Sequence, residues 1–147
     1  MLMAVAAMTV LSACGPAFPG TYSGALHGVF ACPSGYGGAG DINATWVLTQ
    51  SNKAISIAAT GGSCNPLGAT IGTDLDSATI DSKTCPALPD QFGGTITESL
   101  LDGTLTLDNS GDLAVSIRAT EFFHDPGYED EICPSVFFGT FTRQKTP

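Results

Sequence analysis

Positive charge is what this sequence has least of. Five Lys and Arg stand against 14 Asp and Glu, a formal charge of −9 over 147 residues, so the chain cannot offer a polyanion its counter-charges and nucleic acid is excluded as a partner. Helical periodicity is missing as well. No window repeats apolar residues at helical spacing together with a cap, while 18 Gly, 9 Pro and abundant Thr and Ser describe an all-β chain. Catalytic patterns are also lacking: His27 and His124 are the only histidines, no Ser sits in a Gly-x-Ser-x-Gly elbow, and there is no His-Glu-x-x-His. The Gly-rich stretch PSGYGGAGD (33–41) has no Lys and no following helix, which removes phosphate binding. Cys32, Cys64, Cys85 and Cys133 contain no Cys-x-x-Cys pair, against zinc, and DLDSATID (74–81) lacks the glycine and terminal glutamate of an EF-hand. No catalytic residue, metal or cofactor is expected, and the chain reads as a non-enzyme.

What is present begins with MLMAVAAMTVLSA (1–13), an uncharged apolar run of about a dozen residues. A transmembrane helix needs about 20. A run of 7 to 15 that ends in small residues has the length of a secretory h-region, so 1–13 is expected to be a signal peptide. Leu11, Ser12, Ala13 and Cys14 resemble the lipobox of bacterial lipoproteins, a branched apolar residue and two small ones ahead of an obligatory cysteine. The resemblance implies that Cys14 is lipidated and becomes the new N-terminus, which ties the chain to a membrane through its lipid. Gly15 rather than Asp after the cysteine implies the outer membrane of a bacterial envelope. Residues 14–20 then form a Gly/Pro tether, 21–143 a single domain and 144–147 a tail; without its leader the chain keeps 134 residues, enough for one core.

Period-two alternation runs through NATWVLTQ, AISIAAT and DLAVSIRAT, each with one apolar face. Strands are expected at roughly 21–30, 43–50, 54–60, 67–72, 77–81, 94–100, 103–108, 112–121 and 135–142, joined by turn signals at SNK (51–53), TDLD (73–76), LDG (101–103) and NSG (109–111). Many short strands in hairpin order describe an up-and-down antiparallel meander of 8–9 strands that closes into a small barrel and so removes its edges. The opening Gly20-Thr21-Tyr22 resembles the Gly-x-Trp start of lipocalins. An even number of cysteines in an exported chain reads as two disulfides. Cys64 and Cys85 flank one hairpin and are expected to pair. Cys32 follows the first strand and Cys133 precedes the last, so these two meet if those strands pair antiparallel. Nine strictly alternating strands would make them parallel; either one strand is false or the linker 82–93 crosses to the other end.

Such disulfides gather the long connections 31–42, 61–66, 82–93 and 122–134 at one end, the expected working surface. Two uses of the barrel follow. Its interior, at Trp46, Leu48, Ile55, Ile57, Leu105, Leu107, Val115 and Ile117, would enclose a small apolar ligand, as the lipocalin resemblance implies. Alternatively the loop 121–134, with His124, Asp125, Tyr128, Glu129, Asp130 and Glu131, would meet a basic envelope protein, as in small barrel lipoproteins that inhibit cationic hydrolases. A purely structural envelope role is the third reading.

Overall fold

A computed structural model describes residues 17–60 and 64–145. The expected signal peptide (1–13) and Cys14 lie outside the described residues. Ten strands and no helix are found among those described: β1 (Gly20–Ala31), β2 (Gly37–Ser51), β3 (Ala54–Ala59), β4 (Leu67–Ile71), β5 (Ser77–Ile80), β6 (Lys83–Thr84), β7 (Leu88–Pro89), β8 (Thr95–Leu107), β9 (Leu113–His124) and β10 (Glu131–Arg143). Every pairing is antiparallel. The order β5-β4-β3-β2-β1-β10-β9-β8 closes through β5 against β8, giving an eight-stranded, up-and-down, lipocalin-like barrel, with β6 and β7 added beside β8.

The expected strands 94–100 and 103–108 are one strand. The Leu-Asp-Gly at 101–103 is not a hairpin but a bulge: Leu100 pairs with Ala119 and Asp102 with Arg118, so Leu101 is the extra residue. Two contacts hold it there. Arg118 Nε donates to Asp102 Oδ1 at 2.8 Å across the strands, and Gly103 leaves room where a Cβ would stand 2.9 Å from Ser116 O. Removing one strand restores even parity, and β1 and β10 pair antiparallel from Tyr22–Arg143 to Phe30–Ser135. Just beyond that last pair, Cys32 is bonded to Cys133, and Cys64 to Cys85 flanks the β4–β5 hairpin.

Two connections expected to be long loops, 31–42 and 122–134, are mostly strand. β2 already starts at Gly37 within the Gly-rich stretch, β9 runs to His124, and β10 starts at Glu131. The chain after β5 does not cross the barrel; β6 and β7 continue along β8, Lys83 opposite Leu100 and Leu88 opposite Ile96. Apolar alternation is broken there: Gly37, Gly38 and Gly40 open β2, Phe122-Phe123 and Cys133-Pro134 interrupt the period of two in β9 and β10, and Pro86 and Pro89 divide the segment that holds β6 and β7.

The barrel has two unlike ends. Tight turns close one: Asn52 and Leu75 supply positive φ, and Gly111, at φ 85°, follows an Asp108 whose Oδ1 accepts the amides of Ser110 and Asp112. Phe18 plugs this end at 1% exposure. Residues 17–20 are packed onto the barrel: Tyr22 Oη donates to Phe18 O at 3.0 Å, and Arg143 reaches back to the carbonyls of Ala17 and Pro19 while its guanidinium lies 5.7 Å over the Tyr22 ring. Above this plug the eight interior residues named from sequence are all buried, with 0–4% exposure, and Trp46 stacks on Phe141 at 4.8 Å. The other end stays open.

Candidate functional site

Three turns meet at the open end: 32–36 after β1, 90–94 before β8 and 125–130 after β9. Between the first and the last two lies a cleft of about 800 Å³. Its walls are aromatic, with Tyr36, Phe92, Phe123 and Tyr128, and its rim is acidic, with Asp90, Asp125, Glu129, Asp130 and Glu131; neither Lys nor Arg lines it. Phe30, Tyr36 and Phe123 pack together with ring centroids 5.5 to 6.1 Å apart, which fixes the inner wall.

The rim is held from within. Asp90 Oδ1 accepts the amides of Phe92 at 2.7 Å and Gly94 at 2.8 Å, an Asx turn that folds the 90–94 segment. Asp125 faces it. The interaction between the two carboxyls lowers the pKa of Asp90 and raises that of Asp125. Glu131 accepts Ser34 N at 2.6 Å and Ser34 Oγ at 2.8 Å, tying the β9–β10 turn to the β1–β2 turn. His124 Nδ1 lies 2.6 Å from Asp130 Oδ1. Of the six residues expected to meet a partner, four are thus spent on shaping the rim, while Tyr128 (81% exposed) and Glu129 have no side-chain hydrogen bond of their own among the described residues.

Of the eight interior residues expected to hold a ligand, Trp46 and Ile117 reach a second cavity, of about 230 Å³, below the open end; Leu48, Ile55, Ile57, Leu105, Leu107 and Val115 lie in the closed-end core and do not line it. Apolar groups dominate this mouth cavity, among them Leu26, Leu100 and Phe137, and Glu98 is the one ionisable side chain on its wall. The converging group Cys32, Glu131 and Cys133 has its ligand atoms within 4.8 Å, but the two sulfurs are joined to each other and do not offer thiolates to a metal.

No family model matches this chain, and no characterised protein matches its sequence. Function therefore rests on the site. Asp90, Phe92, Tyr36 and Glu98 were not among the residues expected from sequence. The Asp-Gln-Phe-Gly-Gly turn at 90–94 was a legible signal for the first two, and counting faces from Ile96 and Leu100 would have placed Glu98 inward.

Proposed function

We propose that this protein is a non-catalytic binding module of the bacterial envelope, anchored by a lipid on Cys14, and that its open end recognises a cationic partner. The observation that carries the reading is the aromatic cleft whose rim holds five carboxyls and no Lys or Arg. Aromatic faces and carboxylates together suit Lys and Arg side chains, by cation–π contact and ion pairing. The remaining charge agrees: the net −9 favours encounter with a basic protein and disfavours other partners.

The anchor and the cleft belong to opposite ends. Ala17 enters at the plugged end, and three residue steps from Cys14 to Ala17 reach at most about 10 Å. The plugged end is then held near the bilayer and the cleft is presented away from it.

The decisive experiment measures binding of a set of basic proteins to the wild type and to Glu129→Gln/Asp130→Asn, which leaves the Ser34–Glu131 tie intact. Binding that weakens at least tenfold in the variant, and that falls with salt in the wild type, supports the reading; unchanged affinity refutes it. Lipidation is tested separately by intact mass of the membrane-extracted protein against Cys14→Ser. A second reading, a small ligand inside the barrel, has the support of the mouth cavity of about 230 Å³, just below the usual range for ligand sites.

A further inference from the structure

The mouth of the barrel contains an arrangement that nothing in the fold requires. Glu98 on β8 pairs directly with Glu121 on β9. Both face inward: Glu98 lines the mouth cavity, and Glu121 continues the series Leu113, Val115, Ile117 and Ala119 and stands opposite the buried Cys133. Like charges directly opposite each other repel, their Cβ atoms being about 5 Å apart. No cation relieves them. β10 brings the Cys133 disulfide, β7 brings Leu88, and Lys83 on β6 turns its ammonium to Pro66 O at 2.6 Å. Burial and, for Glu98, the neighbouring Glu121 raise both pKa values.

We propose that the mouth cavity is a binding pocket for a primary ammonium carried on an apolar body, with Glu98 on its wall as the counter-ion and Glu121, the cross-strand neighbour of Glu98, adding to the negative field. The apolar walls at Leu26, Trp46, Leu100, Ile117 and Phe137 take the body. Occupancy would give the carboxyl of Glu98 the cation it lacks and relieve its repulsion with Glu121. The pocket deepens the second reading above, that the barrel holds a small ligand, and rests on it; it is independent of the rim.

The test titrates the folded protein with n-hexylamine and, in parallel, with n-hexanol, the neutral isostere, by calorimetry at pH 8. The expected result is binding of hexylamine at least tenfold tighter than hexanol, reduced to the level of hexanol in Glu98→Gln. Glu98→Gln removes a repulsion and is expected to fold, which a thermal melt verifies. Binding of neither compound overturns the ligand reading as a whole. Equal binding of both keeps an apolar pocket and overturns the ammonium site. Loss of hexylamine binding in Glu129→Gln/Asp130→Asn places the amine in the outer cleft and also overturns the proposal.

Discussion

Replacing Cys32 and Cys133 by Ala is expected to destabilise the barrel more than replacing Cys64 and Cys85, because the loops they close differ in length. The outer disulfide spans 101 residues and the inner one 21. On the chain-entropy estimate these correspond to about 4.7 and about 3.3 kcal/mol. The inner loop is nested in the outer, so with the inner bond intact the free outer loop is about 80 residues and its value falls to about 4.5 kcal/mol. Ala is the right replacement, since Cys133 is fully buried and a Ser hydroxyl there would lack a partner.

Urea unfolding followed by the fluorescence of Trp46, buried against Phe141, reports the loss directly. With an m-value of about 2 kcal/mol/M the midpoint should fall by about 2 M in Cys32→Ala/Cys133→Ala. Calorimetry separates the cause. If the cross-link acts by restricting the unfolded chain, the unfolding entropy rises by about 15 cal/mol/K while the enthalpy stays put. A loss smaller than that of Cys64→Ala/Cys85→Ala, or one carried by a reduced enthalpy, would show that the bond acts by fixing the native β1–β10 seam instead.

Other perturbations follow from the same structure. Glu98→Gln should stabilise the protein at neutral pH by about 1 kcal/mol or less from the relieved cross-strand repulsion. Because the folded pKa of Glu98 is raised, the native state holds more protons than the unfolded state just above the ordinary glutamate pKa of about 4.3, so wild-type stability falls as pH rises through that window; melts of the two proteins should coincide near pH 3 and diverge above pH 5, and parallel curves would contradict the assignment. Gly139→Ala should cost about 1–3 kcal/mol in urea, since a Cβ at Gly139 collides with the backbone carbonyl of Ala25 on β1. Phe18→Ala should lower stability by about 3–5 kcal/mol, and a wild-type-like melt would mean that the plugged end does not depend on it.

The all-β barrel and both disulfides were legible because each rests on a local pattern: alternation such as Leu113, Val115, Ile117, Ala119, turn signals such as Asn109-Ser110-Gly111, and cysteines placed just outside strands that pair. The bulge at Leu101 was not, because Asp-Gly is also the strongest short hairpin signal and only the Arg118 partner on β9 distinguishes the two. The seating of Phe18 was hidden for a related reason. A single aromatic between prolines has no periodicity, and its burial depends on Arg143, more than a hundred residues later. The rim was half legible. Composition marked 121–134 as acidic, yet not that His124, Asp125, Asp130 and Glu131 are engaged with partners from 34, 90 and their own turn, which exist only once the three open-end turns meet.

The placement of charge gives the two ends their division of labour. Lys53 sits in the β2–β3 turn of the plugged end, and Arg143 and Lys145 stand at the end of β10 beside it; Arg118 is paired to Asp102 on the wall, and Lys83 is turned to Pro66. The carboxyls of the cleft and mouth, by contrast, have no Lys or Arg among them. A bilayer with anionic headgroups repels such carboxyls over a screening distance of about 8–10 Å at physiological ionic strength. With the proposed anchor on Cys14, the plugged end lies within that distance and brings to it Lys53, Arg143 and Lys145, which offset most of the charge of Asp74, Asp76, Asp108 and Asp112 in the neighbouring turns. Strands of 13 residues, tilted as in an eight-stranded barrel, set the open end roughly 30 Å further out. At that height the acidic cleft escapes the repulsion of the surface that tethers it and keeps its field for what approaches from the solvent side.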